Sequence, residues 1–423
     1  MPHASVFSRV IRIGRLRVID AAGRIHVFEG LPGPTATIRL HDRSLHWKCL
    51  LSPRFYVPEA YMNGSLTIEE GSLYDFLDVM TTNDDVPPNG RLMRLGDSAG
   101  RLLRYIHQYN PVRRSRRNVA HHYDLSDQLY ELFLDSDRQY SCAYFQALDE
   151  DLETAQINKK RHIAAKLLLR PGQKVLDIGS GWGGLALYLA GECGAEVTGL
   201  TLSQEQLKVA QRRAAAAGLS DRVRFHLRDY REETEQYDRI VSVGMFEHVG
   251  KQNYDTFFRK CQDLLTDNGV MLLHTVGRWD GPADTNAWVW RHIFPGGYTP
   301  ALSELALAIE GSGLIISDIE VLRIHYAETL RAWRNNFLAN RNEVIRLFEE
   351  TPSLRARFGN AERFIRMWEY YLAGFEASFK YYGLVVFQIQ LIKNIDAVPL
   401  TRDYIYSRGR KVHSAAKLAE AAE

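Results

Sequence analysis

From about residue 153 to 320 helical and strand-like stretches alternate, and this alternation restricts the chain to one class of fold. The helix LETAQINKKRHIAAKLLL stops at Pro171-Gly172, and the strand KVLDIG, a glycine-rich turn and the helix GGLALYLAGE follow. Strand AEVTGLTL, helix SQEQLKVAQRRAAAAG, strands RVRFHL and YDRIVSVG, a further helix and strand GVMLLHTV complete the run. Such a pattern predicts an α/β, doubly wound, mostly parallel sheet.

Around this unit the chain divides further. Residues 1–110 predict a smaller N-terminal α+β domain. Within it TATIRL (35–40), SLHWKCLL (44–51) and GSLTIE (64–69) read as short strands, and SLYDFLDVM (72–80) as a helix. The stretch TTNDDVPPNG (81–90) reads as a loop near a domain edge. Residues 111–152 read as a basic linker leading to lid helices, and residues 153–423 as the main domain. After residue 326 the chain reads as mainly helical additions. Phe364, Trp368, Leu372, Phe375 and Phe379 recur there at three- or four-residue spacing, the apolar face of a packed helix.

Composition removes several functional classes. Lysine and arginine number 53 against 51 aspartate and glutamate, for a net charge of +2, so global steering toward nucleic acid is not expected. The four cysteines, Cys49, Cys142, Cys193 and Cys261, show neither zinc spacing nor a disulfide framework, which predicts a reducing compartment. The N-terminus lacks a secretory h-region and no run of about 18 apolar residues occurs, so a cytoplasmic protein is expected. One local patch stands out: PVRRSRRNVAHHYD (111–124), with Arg113, Arg114, Arg116 and Arg117. It suits a solvated linker, or a surface for anionic lipid headgroups, where each basic residue contributes about 1 kcal/mol.

The turn VLDIGSGWGG (175–184) places Gly179, Gly181, Gly183 and Gly184 between a strand and a helix. Glycines there permit a tight turn and close ligand approach, and the helix start offers free N–H groups to an anion. Asp177 precedes the first glycine by two residues, giving the D-x-G-x-G arrangement associated with S-adenosylmethionine. A dinucleotide site wants an acid ending the second strand, and Thr201 of LTLSQEQ stands there. After the third strand, Asp229 and Tyr230 are placed to flank an adenine. A methyltransferase is favoured over a dehydrogenase.

A second constellation follows. The fourth strand ends in SVGMFEHVG, directing Glu247 and His248 toward the ligand edge of the sheet, and the fifth carries His274-Thr275-Val276. RIHYAETLRAW brings Tyr326. No HExxH or cysteine pair supports a metal centre, and none is expected. Glu247 suits either a base system or a strand-end cap.

With HHYDLSDQLYELFLDSDRQYSCAYF (121–145), AQINKKRHIAAKLLLRPGQKVLDIGSGWGG (155–184), LTLSQEQ, FEHVG and IHYAETLRAW in this order, the chain resembles the cyclopropane-fatty-acyl-phospholipid synthase family, which includes the mycolic-acid cyclopropane synthases. The resemblance spans about residues 110–392. It implies a Rossmann-like methyltransferase that moves a methylene from S-adenosylmethionine to the cis double bond of a phospholipid acyl chain, with bicarbonate as base. It further implies a homodimer bound peripherally to the inner face of the membrane. On this resemblance Tyr140 and Ser141 contact the methionyl part of the donor, the 177–184 turn its carboxylate and amino end, and Thr201 and Gln206 its ribose. Cys142, Glu247, His274, Val276 and Tyr326 match the bicarbonate cluster, which makes Cys142 an anion ligand and not a nucleophile. Two positions depart from the family: Ser180 replaces a frequent cysteine, and Phe375 stands where many members carry a C-terminal cysteine. The same residues are compatible with a fatty-acyl methyltransferase giving a methyl-branched chain, or with a small-molecule N-methyltransferase.

Overall fold

The computed structural model describes residues 11–83 and 127–407, so Arg113, Arg114, Arg116 and Arg117 lie outside the described residues. Strands β1 (Ile13–Ile19), β2 (Ile25–Glu29), β3 (Leu31–Leu40) and β4 (Leu66–Glu70) form a sheet in the order β2-β1-β3-β4. The first two strands went unread in the sequence, although β1 alternates cleanly. Leu16 and Val18 are buried, while Arg15 and Arg17 turn outward toward Glu29 and Glu70.

Three helices cover this sheet: α1 (Leu45–Leu51), α2 (Pro53–Met62) and α3 (Leu73–Thr82). The stretch expected as a strand at 44–51 is therefore a helix. Leu45 and Cys49, one turn apart, pack into the core, whereas Trp47 and Leu51 are exposed. A run this short satisfies both periodicities, and the Asp42–Ser44 turn that opens it decides for the helix. The expected helix at 72–80 forms, closed at its start by reciprocal Ser72–Asp75 bonds.

The second part contains α4 (Asp127–Glu131), α5 (Leu152–Lys166), β5 (Lys174–Ile178), α6 (Gly184–Cys193), β6 (Glu196–Thr201), α7 (Gln204–Ala216), β7 (Val223–Leu227) and β8 (Tyr237–Val243). There follow α8 (Tyr254–Leu264), β9 (Leu265–Arg278), α9 (Ala287–His292), α10 (Leu302–Glu310) and β10 (Ile315–Leu322). Four further helices, α11 (His325–Ala339), α12 (Arg341–Glu350), α13 (Pro352–Phe358) and α14 (Ala361–Tyr381), lead into β11 (Leu384–Ile392).

The sheet order is β10-β11-β9-β8-β5-β6-β7, parallel except for β11, which runs against both neighbours. This is the mostly parallel Rossmann-like sheet expected. Strand β11 corrects the reading of the C-terminal region as mainly helical. LVVFQIQLI is buried at every position but the first, a continuous apolar run that fits the middle of a covered sheet. The strand order reverses between β5 and β8, and the crevice at their C-terminal ends is where ligands of such sheets sit.

Helix α14 joins the two parts. Phe364, Trp368, Tyr371 and Leu372 enter the aromatic core beside the large sheet, while Ala373 and Ala377 pack with Leu73, Phe76 and Leu77 of the N-terminal unit. Tyr61 also donates to Glu369 across this contact, 2.7 Å. The small side chain of Ala373 permits close packing between α14 and the N-terminal unit. Ala373→Arg, by burying an uncompensated charge at a cost of several kcal/mol (roughly 2–7 even for a neutral polar group), is expected to lower the thermal midpoint. It should also speed proteolysis within residues 11–83, measured by limited digestion.

Candidate active site

The donor pocket opens at the strand-order reversal, with an empty volume of about 1180 Å³ that includes space open to solvent. Its floor is the turn after β5. Gly179 has φ of 87°, and a Cβ there would stand 2.7 Å from the Met245 side chain. Gly183 has φ of 85° and caps α6, where a Cβ would strike Phe225 at 2.7 Å. Gly179 and Gly181 line the pocket; Gly183 does not, and its part is to start the helix whose first N–H groups face the crevice.

Tyr140, Ser141, Asp177, Thr201, Gln206, Asp229 and Tyr230 also line this pocket. Thr201 Oγ1 and Gln206 Oε1 bond at 3.1 Å, which sets both side chains at one wall. The Asp229 carboxylate is held by Arg231 through two bonds of 2.7 and 2.8 Å, and the Tyr230 ring packs edge-on against Phe257. Both are therefore fixed before any ligand arrives. Asp177 differs: its Oδ2 is buried without a hydrogen-bond partner, and burial pushes the carboxyl up to about 7.

The wall formed by residues 135–145 has no regular secondary structure. It is pinned from α5, where Gln156 Nε2 donates to the Gln139 and Ser141 carbonyls at 3.2 and 3.1 Å. Lys160 and Arg213 hold Asp137, and Lys159 Nζ donates to Gln139 Oε1 and Ser141 Oγ, both at 2.8 Å. Lys159, Gln139 and Arg138, which adopts φ of 56° at the pocket wall, were missed in the sequence. A lysine within KKR reads as a solvated helix face, and only the fold shows that it is buried.

Apart from His248, which lines the donor pocket, the second constellation lies beside that pocket and not in its lining. Cys142 follows Ser141, Glu247 precedes the pocket residue His248, and the amide of Gly244 donates to the His274 carbonyl at 2.9 Å. Glu247 Oε1 accepts from the Val276 amide at 2.5 Å, while its Oε2 is buried with no partner. Burial raises this carboxyl, and the Val276 bond opposes the shift. His274 and Val276, two apart on β9, share a face.

Gln388 Nε2 of β11 meets His274 Nδ1 at 3.2 Å, which ties the ring to the neighbouring strand. Burial pushes His274 well down and the Cys142 thiol up, so both stay neutral. Cys142, Val276 and Tyr326 belong to one packed core together with Tyr140, Trp333 and Phe379. Tyr140 stacks on Trp333 at 5.2 Å and shares a 2.8 Å hydrogen bond with the Tyr371 hydroxyl. Phe375 packs on Tyr371 and Phe294, with centroids 5.0 and 6.1 Å away.

Among the described residues no group of three histidine, cysteine, aspartate or glutamate side chains is arranged to hold a metal ion, and no helix is long and apolar enough to cross a membrane. The pocket fits S-adenosylmethionine. Backbone N–H groups at the start of α6 suit its carboxylate, and the unpartnered Asp177 oxygen suits a positively charged group. Beside the pocket, Glu247 Oε2 is a buried polar atom open to a further partner.

Comparison with known proteins agrees with this geometry. Residues 111–389 match the mycolic acid cyclopropane synthetase family. A probable fatty acid methyltransferase of Pseudomonas putida is 33% identical over 394 residues, covering 89% of this chain and 92% of the relative. The cyclopropane-fatty-acyl-phospholipid synthase of Escherichia coli (strain K12) is 40% identical over 275 residues, 65% of this chain and 67% of the relative. The solved structure of mycolic acid cyclopropane synthase CmaA1 complexed with SAH and CTAB superposes with a TM-score of 0.59 at 33% identity, covering 67% of this chain and 99% of that one. The chain thus belongs to the mycolic acid cyclopropane synthetase family and is an S-adenosylmethionine-dependent methyltransferase.

Proposed function

We propose that the protein is a cyclopropane-fatty-acyl-phospholipid synthase, adding a methylene from S-adenosylmethionine across the cis double bond of a phospholipid acyl chain, with bound bicarbonate as the base. The observation that carries this reading is Glu247, a buried carboxyl next to the pocket residue His248, with one oxygen fixed by the Val276 amide and the other unpartnered. The similarity to the E. coli synthase supports it.

The donor supplies an electrophilic methyl group, and an alkene is a poor nucleophile. The chain therefore has to hold the two in close contact and exclude water. Residues 139–141 and the glycine turn would position the donor, and the buried core around Cys142 and Trp333 would keep the reacting carbons dry. Positive charge that develops on the acyl chain would be stabilised by the π faces of Tyr326 and its aromatic neighbours, by about 2 kcal/mol each when desolvated. Cys142, Glu247, His274, Val276 and Tyr326 would hold bicarbonate, which supplies a base that a protein carboxylate could not replace without being alkylated. Glu247 would approach that anion by sharing a proton with it. Phe375 occupies the position of the family's C-terminal cysteine, so that thiol has no part in this chemistry.

Because moving an acyl chain into water costs about 0.8 kcal/mol per CH₂, the enzyme would work at the bilayer surface. Its site would be the inner face of the membrane, with Arg113, Arg114, Arg116 and Arg117 on anionic headgroups and two copies forming a dimer. A methyl-branched product is the second reading, favoured by the name of the P. putida relative, with which this chain aligns over most of its length. The two differ in which carbon loses the proton.

Purified protein given methyl-labelled S-adenosylmethionine, bicarbonate and vesicles of a cis-monounsaturated phospholipid is expected to yield fatty acids with upfield cyclopropane protons by NMR. A branched methyl signal instead would establish the second reading, and unlabelled lipid would overturn both. Glu247→Gln is expected to reduce ring formation by at least about 100-fold while S-adenosylhomocysteine still binds by calorimetry. Wild-type turnover in that variant would remove Glu247 from the mechanism. Asp177 predicts a pH dependence of donor binding. Its raised carboxyl is protonated below about 7, and a cationic ligand prefers it ionised. Affinity should therefore rise as pH increases through that value, by up to about tenfold per unit below it, and Asp177→Asn should flatten the profile.

A further inference from the structure

Lys159 meets the donor-pocket wall at Ser141, the residue directly before Cys142. It is fully buried on α5, and its Nζ donates at 2.8 Å to Gln139 Oε1 and at 2.8 Å to Ser141 Oγ, two neutral acceptors on the wall of the donor pocket. Among the described residues it forms no ion pair within 4 Å. The other buried lysine near His274 is different: Lys166 is paired with Glu320 at 2.5 Å and with Asp318 at 3.5 Å. Asp135 and Asp137 act on Lys159 only from beyond ion-pair distance, and burial pushes its ammonium down to about 8. Held at Ser141 Oγ, the ammonium sits at the boundary between the donor-pocket wall and Cys142, on which its charge also acts.

The cluster beside the pocket has an electrostatic problem. A bound anion there would be removed from water among a neutral thiol, a neutral imidazole, a phenol and a carboxyl. Burying an anion without a compensating charge costs several kcal/mol or more. An unpaired buried cation is equally unfavourable by itself, and two such costs cancel when the charges face each other across a dry core.

We propose that Lys159 is a positioning residue shared by the two halves of the site: its ammonium group fixes Gln139 and Ser141 against the methyl donor, and its charge retains the anion beside Cys142 and His274. This rests on the reading of that cluster as a bicarbonate site. It adds the cation that such a site requires and that none of its own residues supplies. Lys159 does not touch the reacting carbons; it acts through the groups it holds and through its field.

The test measures binding instead of turnover. Carbon-13 bicarbonate is titrated into wild-type protein, Lys159→Met and Ser141→Ala, each saturated with S-adenosylhomocysteine, and the bound fraction is read by carbon-13 NMR. S-adenosylhomocysteine affinity is measured separately by calorimetry. Lys159→Met is expected to weaken bicarbonate binding by at least about tenfold, the scale of one lost neighbouring charge. Ser141→Ala, which removes one acceptor and leaves the charge, should weaken the homocysteine ligand while costing bicarbonate clearly less than Lys159→Met. A folded Lys159→Met protein that binds bicarbonate as wild type does, or an equal loss in both variants, overturns the role of the charge. Wild-type protein that binds no bicarbonate overturns the anion-site reading itself, and the proposal with it. If Lys159→Met does not fold, nitrogen-15 labelling of the lysine ammonium groups in wild type replaces it. The buried Lys159 signal should shift on bicarbonate saturation, and an unmoved signal overturns the proposal.

Discussion

Buried polar side chains on α5 hold the irregular segment 135–145, and both halves of the site rest on that attachment. The segment has no ladder or helix of its own, so its backbone groups need partners elsewhere. Gln156 takes two of its carbonyls, the Ala155 carbonyl accepts from the Tyr144 amide at 3.1 Å, Thr329 takes the Ala143 amide and His325 the Phe145 amide. With those bonds made, Tyr140 and Ser141 face the donor pocket while Cys142, the next residue, sits in the aromatic core. Two functions separated by one peptide bond require a backbone that does not move, and the satisfied bonds provide it.

The same attachment accounts for the unusual electrostatics. Helix α5 buries Lys159, Lys160 and Lys166, residues that ordinarily face water. Lys160 and Lys166 are neutralised by Asp137 and Glu320. Among the described residues Lys159 has no such direct ion pair, and Asp177 and Glu247 each keep one oxygen unpartnered. Such groups are costly in a folded protein, and Asp177, which lines the donor pocket, and Glu247, which precedes the pocket residue His248, lie where a charged ligand would offset that cost. The N-terminal sheet joins this framework through α14, whose opposite face carries Tyr371, hydrogen-bonded to Tyr140. One helix thus carries both the surface that packs against the N-terminal unit and the hydroxyl that holds Tyr140 at the donor pocket.

Local pattern revealed much of this. The strand–glycine–helix turn was legible because a positive φ and close packing leave few residue types acceptable at Gly179 and Gly183. Strands β5 to β9 of the large sheet were legible because short runs rich in apolar and β-branched residues alternate there with helical stretches. Helix α1 was misread because seven residues with Leu45 and Cys49 inward fit a strand as well as a helical turn. Strand β1 was passed over because arginines interrupt it, although they alternate with its buried residues. Strand β11 was hidden behind helices and paired only through contacts distant in sequence. The roles implied for Cys142, Val276 and Tyr326 came from resemblance to a family, since nothing in their spacing makes three such distant residues converge.

By itself, then, the sequence determined the class of fold, the place of the donor turn and the order of the elements from α5 to β9, because each depends on side-chain periodicity and backbone freedom within a few residues. The tertiary structure alone decided that Lys159 is buried, that Glu247 is tied to Val276, and that Gln388 meets the His274 ring. Burial, orphaned oxygens and displaced protonation are properties of what surrounds a residue. Here those surroundings come from α5, β9, β11 and α11, elements brought together only by the closing of the sheet.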